Sequence, residues 1–175
     1  MKINKKFPAF VALAVCLAVL SFSANAQKRN PTVKRTTTQA PTSPSLEIKS
    51  SAEKVSTQIK NLSRFIYGFG NVAQVIEDLD KDIAAGRASR NAPDLNAKNK
   101  RAVLTTIRDF RAGLAALEVE FRTKPALKNY LFQINGITDI AGNAEDQATA
   151  GQFIQSGKTL LLVIEKLSDT LVAMP

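Results

Sequence analysis

The chain is predicted to be all-α, an antiparallel up-and-down four-helix bundle with a long first helix, on three observations. Apolar residues recur at alternating steps of four and three through four separate segments. The connections between those segments are short and carry Gly, Asn and Pro. No segment shows the strict apolar and polar alternation of a strand. Four amphipathic helices joined by short turns pack as antiparallel neighbours, each burying its stripe against the others.

The bundle is expected to follow two segments that lie outside it. Residues 1–6 carry Lys2, Lys5 and Lys6 without an acid, residues 7–22 are almost wholly apolar, and Ser23-Ala24-Asn25-Ala26 places small residues where a signal peptidase reads. The pattern predicts a secretory signal cleaved after Ala26. The apolar run contains Pro8 and falls short of the roughly 20 residues that a membrane-spanning helix needs. No later stretch is apolar enough to span, so no stable membrane span is expected after cleavage.

Residues 27–46, QKRNPTVKRTTTQAPTSPSL, hold Pro31, Pro41, Pro44 and five threonines and offer almost nothing to bury. Such a segment cannot recover the entropy lost on ordering, so a disordered basic tail is expected there, with the bundle domain in residues 47–175.

The first helix is predicted from Glu47 to Ala85. Its seam runs Ile48, Ala52, Val55, Ile59, Leu62, Ile66, Phe69, Ala73, Ile76, Leu79 and Ile83, interrupted only by Gly68 and Gly70, and Gly86 suits a C-terminal cap. A polar loop follows, with Asn96 placed to cap a second helix whose seam is Val103, Ile107, Phe110, Leu114, Leu117 and Phe121. Thr123 and Pro125 mark a restart, because proline is tolerated in a first turn and not in an interior. The third helix then carries Leu127, Leu131 and Ile134 and extends toward Ala141. Gly142-Asn143 is expected to end it and to cap the fourth, whose seam is Ala150, Phe153, Gly157, Leu160, Ile164, Leu167 and Leu171.

A first helix of about 40 residues, near 60 Å at 1.5 Å per residue, is longer than its partners. Some of its seam is therefore expected to lie uncovered. Either the helix bends near Gly68 and folds back, the favoured reading, or its end pairs with a second copy in a homodimer.

Charge narrows the partner class. The net charge is +9, from 24 basic and 15 acidic residues. Three lysines lie in residues 1–6 and four basic residues in 27–46, so the remainder has 17 basic against all 15 acidic residues. A nearly neutral domain is not what a nucleic-acid-binding surface requires.

Chemistry narrows it further. There is no histidine, and the only cysteine, Cys16, falls inside the signal. Zinc, copper and haem sites of the usual kinds lose their ligands, as do imidazole-based triads, so no cofactor, metal or catalytic residue is assigned.

Four patterns that imitate chemistry fail on spacing. Residues 151–159, GQFIQSGKT, place five residues between the glycines where a phosphate loop has four, on a segment read as helix. The run LLLVIE that follows directly is core helix rather than a magnesium-holding strand. Ser51-Ala52-Glu53-Lys54 has the Ser-x-x-Lys spacing of a lysine-activated serine, but the chain lacks the Lys-Thr-Gly such enzymes add. Glu77, Asp78, Asp80 and Asp82 alternate like a calcium loop, yet Ile83 stands where glycine is needed and Ser89 where a glutamate is needed.

What remains is recognition. Lys28, Arg29, Lys34 and Arg35 in the tail, with Lys98, Lys100 and Arg101 at the start of the second helix, form the candidate partner surface. The expected function is that of an exported, non-enzymatic protein, periplasmic or secreted, that binds another protein or an anionic envelope polymer. The alternative is a carrier or sensor of a small apolar or amphipathic ligand, with Gly68, Gly70 and Gly157 making room beside the aromatics Phe65, Tyr67, Phe69, Tyr130, Phe132 and Phe153.

Overall fold

The structure, a computed structural model, describes residues 43–175. The expected signal, its cleavage site and most of the expected tail lie outside the described residues. Those described are all-helical, with no strand among them. The chain forms α1 (Pro44–Ala84), α2 (Ala92–Thr123), a 3-10 turn (Pro125–Tyr130), α3 (Leu131–Ile134), α4 (Ile137–Thr149) and α5 (Phe153–Ala173).

α1 begins three residues earlier than the seam predicts. Pro44 takes the first helical position, where its missing N–H is no loss and its fixed φ fits the helix. Residues 44–46 therefore belong to the helix and not to the tail. α1 then runs unbroken through Gly68 and Gly70, so the expected fold-back near Gly68 is not found. Gly86, at φ 67°, ends it: the Gly86 N–H donates to Ile83 O and the Arg87 N–H to Asp82 O, the paired closure of a left-handed cap.

α2 starts at Ala92, not at an Asn96 cap, because Pro93 and Asp94 supply the first turn. Asn96 sits one turn inside and is buried, its amide donating to Asp80 Oδ1 at 2.8 Å and to Ile76 O at 3.3 Å. The α2 seam is as predicted, with Val103, Ile107, Leu114, Leu117 and Phe121 buried and Phe110 packed at the core's edge.

The expected third helix is divided. Pro125 opens a 3-10 turn, α3 has one turn, and Gly136 at φ 88° redirects the chain into α4. Gly142-Asn143 does not end a helix. Both lie inside α4, where the Arg111 side chain crosses Gly142 so closely that a Cβ there would stand 3.3 Å from the guanidinium carbon. The true break is Ala150-Gly151, with Gly151 at φ 83°, its N–H donating to Ala148 O and the Gln152 N–H donating to Gln147 O.

Polar contacts fix the helix directions. Lys54 meets Glu120 and Asp80 meets Lys100, so α1 and α2 are antiparallel. Glu118 meets the start of α4 and Arg108 meets Glu145 near its end, so α2 and α4 are antiparallel. Phe69 touches Gly157 and Glu77 touches Ile154, so α1 and α5 are antiparallel. One core, with Leu62, Ile76, Ile107, Leu114, Phe121, Leu127, Ile134, Phe153 and Leu160 fully enclosed, fills the space between them. Burial of each such side chain contributes about 1.5–3 kcal/mol.

The length mismatch has the consequence expected of it. α1 has 41 residues and α5 has 21, near 61 Å and 31 Å at about 1.5 Å per residue. α5 begins beside Glu77, and the last turns of α1 run past that point alongside α2. Leu79 and Ile83 are consequently half-exposed and stay outside the core cluster.

Candidate functional site

Several of the polar groups singled out above hold one helix to another. Ser51 and Lys54, the serine and lysine of the enzyme-like spacing, both donate to Glu120 on α2, Ser51 Oγ at 3.0 Å to Oε1 and Lys54 Nζ at 2.6 Å to Oε2. Lys124 adds a third donor at 2.7 Å. Burial raises the Glu120 carboxyl, but the bonds from Lys124, Lys54 and Ser51 outweigh it and hold the group at about 2. These bonds make the cluster a staple between α1 and α2.

Two glutamates close helix ends that lack caps of their own. α4 and α5 have no side-chain cap from their N-cap residues, Gly136 and Gln152. Glu118, nearly buried on α2, accepts from the Gly136 N–H, the Thr138 N–H and Thr138 Oγ1, and pairs with Arg122. Burial works to raise its carboxyl, yet the Thr138 and Gly136 bonds win and hold it below the usual range. Glu77 on α1 accepts the Ile154 N–H at 2.8 Å, doing the same for α5. Each anion lies where the amino end of a helix presents unpaired N–H groups.

The acidic alternation at residues 77–82 is accordingly dispersed. Asp78 accepts from Gln74 and Lys81, Asp82 accepts from Arg87, and Asp80 accepts from Asn96 and Lys100. Among the described residues no three metal-binding side chains converge. The Gly-Lys-Thr imitation of a phosphate loop is equally spent: it follows α4 rather than a strand, Gly157 faces the Phe69 ring, and Thr159 Oγ1 donates to Gln147.

Of the basic residues singled out for a partner, Lys28, Arg29, Lys34 and Arg35 lie outside the described residues. Lys98, Lys100 and Arg101 occupy the second turn of α2 onward rather than its start, so they do not oppose its dipole. Lys100 is bound to Asp80 at 2.6 Å and Arg101 donates to the Ala97 carbonyl, while Lys98 is exposed.

The structure instead brings together residues of α1 and α5. Ile66, Phe69, Gly70 and Ala73 of α1 face Phe153, Gly157, Lys158 and Leu161 of α5 across an open cleft of about 200 Å³. Gly157 lets the Phe69 ring approach to where a Cβ would stand 3.2 Å away, and Phe69 is stacked on Phe65 at 4.9 Å. Ile154 joins this cleft to a wider polar notch of about 560 Å³ between Glu77, Asp80 and Lys81 of α1 and Gly151, Gln152 and Gln155 at the start of α5. The two openings share Ile154 on the α1/α5 edge.

Gly70 is the informative residue. A glycine inside a helix costs about 0.5–1 kcal/mol relative to alanine. A Cβ at Gly70 would meet nothing within 4 Å, so no contact inside the domain requires the glycine. Gly68 is also unobstructed, but at 100° per residue it points 200° away around α1, off the groove.

The aromatics divide as residues two apart on a helix must. Phe69 and Phe153 are buried, Phe65 and Tyr130 pack at the core's edge, and Tyr67 and Phe132 stand 90% and 88% exposed. The sequence set Gly68, Gly70 and Gly157 beside all six of these aromatics and placed Ile66 on the α1 seam, but Lys158 and Leu161 join Gly70 and Phe69 only through the way α5 lies on α1. In comparison with known proteins, the chain matches no family model, no curated protein and no solved structure.

Proposed function

We propose that this protein is an exported, non-enzymatic binding protein that docks another protein in the groove between α1 and α5. The observation that carries the reading is that cleft: Ile66 and Leu161 are partly exposed beside the buried Phe69 and Phe153 rings, and no side chain projects from Gly70. Solvent-facing apolar surface rimmed by polar groups is what a partner site offers.

Export is supported by the three-part pattern of residues 1–26, which implies a periplasmic or secreted location. The scaffold is read as an antiparallel up-and-down four-helix bundle of α1, α2, α4 and α5, supported by the directions of the polar contacts between neighbours. The basic residues at 28, 29, 34 and 35 add an electrostatic attraction that acts before docking.

A pair of adjacent leucines tests the reading. Leu161 and Leu162 are similarly exposed, at 44% and 50%, but only Leu161 lines the groove. A photoreactive residue placed at 161 in the native host is expected to give a discrete adduct whose formation the Gly70→Leu substitution suppresses, while one at 162 gives none. Equal adducts from both positions, or an adduct at 161 indifferent to Gly70→Leu, would refute docking in the groove.

A further inference from the structure

We propose that Asn135 is a site of self-modification: its side-chain amide converts to isoaspartate and aspartate through a cyclic imide with the Gly136 nitrogen, at a rate set by the hold of Glu118 on that nitrogen. The site lies at the joint between α3 and α4 and uses none of the residues of the α1/α5 cleft.

The chemistry needs an asparagine whose following backbone nitrogen can reach its side chain. Asn135-Gly136 is the one place in the 175 residues where glycine follows asparagine, so it is the one asparagine whose neighbouring nitrogen carries no side chain to obstruct the approach. Asn135 is exposed and sits between helices, whereas Asn61, Asn71, Asn96, Asn99 and Asn143 lie inside them. The Gly136 nitrogen gives its proton to hydroxide and attacks Asn135 Cγ. A bond from that nitrogen to Cγ forms, the bond from Cγ to Nδ2 breaks, and the amide nitrogen leaves as ammonia with a proton from water. Water then opens the imide at one of its two carbonyls. Opening at Cγ gives aspartate, and opening at the main-chain carbonyl gives isoaspartate, with the chain rerouted through Cβ and Cγ.

The fold restrains this reaction at two atoms that one carboxylate controls. The ring closes only when Cγ and the Gly136 nitrogen lie on the same side of the Cα–C bond, which requires a strongly negative ψ, and Asn135 has ψ 134°. Glu118 Oε1 accepts the Gly136 N–H at 3.1 Å and so fixes the plane of the peptide that would have to turn. Gly136, at φ 88°, is itself free to follow such a rotation. The nitrogen must also become negative to attack, and it would do so beside an anion, which Coulomb repulsion opposes. Glu118 is anchored in turn by the Thr138 N–H, Thr138 Oγ1 and Arg122, so the restraint is released only when the first turn of α4 opens.

Conversion has a structural consequence. Isoaspartate adds one carbon to the backbone between Ile134 and Ile137, which are both fully buried. A longer connection cannot keep both seated, so the isoaspartate form is expected to melt at a lower temperature.

The test is to incubate the purified protein in warm, mildly alkaline buffer and to follow each asparagine by peptide mass spectrometry, with isoaspartate told from aspartate by its fragments. Asn135 is expected to convert ahead of every other asparagine, and about tenfold or more faster in urea than in the folded protein. Glu118→Ala is expected to accelerate conversion of the folded protein about tenfold, because the rate follows the population of the open joint. Glu120→Gln, which loosens α1 from α2 and leaves Gly136 untouched, is expected to convert at the unmodified rate. Should Glu118→Ala melt below the incubation temperature, Glu118→Gln against Glu120→Gln decides the same question, with the faster conversion expected in Glu118→Gln. Conversion led by another asparagine would overturn the site. Equal rates in the Glu118 and Glu120 variants would overturn the control by Glu118, and an isoaspartate form melting with the unmodified protein would overturn the structural consequence.

Discussion

Three glycines in equivalent helical backbone should respond to alanine with different signs, because their surroundings differ. At Gly68 and Gly70 an added Cβ meets no atom within 4 Å, so the substitution restricts the unfolded chain and adds no clash. Each is expected to stabilise the domain by about 0.5–1 kcal/mol, which raises the melting temperature by roughly 2–4 °C for a domain of this size. At Gly157 the Cβ would stand 3.2 Å from Phe69 Cδ1 and Cε1, and that ring is buried and stacked on Phe65, which itself meets Phe110 at 5.3 Å. The ring is stacked on Phe65 and must give by a few tenths of an ångström, so Gly157→Ala is expected to lower stability by about 1–2 kcal/mol. Urea denaturation followed by circular dichroism measures all three. A destabilising Gly70→Ala would mean that something inside the domain already fills the groove, and the reasoning about its open floor would fail. A stabilising Gly157→Ala would mean that α5 does not approach α1 as described.

Further outcomes follow from the carboxylates and the exposed aromatics. Glu120→Gln removes the anion that Lys54, Lys124 and Ser51 share, and is expected to cost about 2 kcal/mol at pH 7. Because the folded carboxyl sits at about 2 against an ordinary 4.5, its contribution is complete above pH 4.5 and is lost as pH falls through 2, so urea titrations should show wild type and variant converging near pH 2. Glu118→Ala leaves the Gly136 and Thr138 N–H groups without their acceptor and is expected to cost about 2–3 kcal/mol, with amide exchange in the first turn of α4 accelerating more than elsewhere. Tyr67→Ser and Phe132→Ser, at side chains that stand almost wholly in solvent, should each change stability by less than about 0.5 kcal/mol in the same denaturation assay.

Much of the fold was legible in the sequence because helical periodicity is a local signal. The seams of α1, α2 and α5 were read almost residue for residue, and Gly86 was read as the end of α1 for the left-handed turn it makes. Errors gathered where a residue's role is set by a distant partner. Gly142 resembles a helix terminator as much as Gly151 does, but its purpose is to admit the Arg111 side chain from α2, a contact 31 positions away in the chain. Asn96 looked like a cap because caps favour asparagine, whereas it bridges to Asp80 and Ile76 on α1, and the usable start signal was Pro93-Asp94 just before it.

The capping glutamates were not legible at all. Glu118 serves Thr138 20 residues on, and Glu77 serves Ile154 77 residues on, so neither lies within the few positions over which capping patterns are recognised. The groove was half legible: its glycines and aromatics stand out in a helical sequence, but Lys158 and Leu161 join them only through the packing of α5 on α1.

Binding at the α1/α5 cleft requires that no side chain stand at position 70, whereas the domain's stability does not require the glycine. The most direct measurement is calorimetric titration of the partner captured through position 161 against the unmodified protein, Gly70→Leu and Gly68→Leu, with the melting temperature of each recorded. The account predicts that Gly70→Leu weakens binding at least about 100-fold while melting no lower than the unmodified protein, and that Gly68→Leu binds normally. Undiminished binding by Gly70→Leu, or equal losses at both positions, would contradict it.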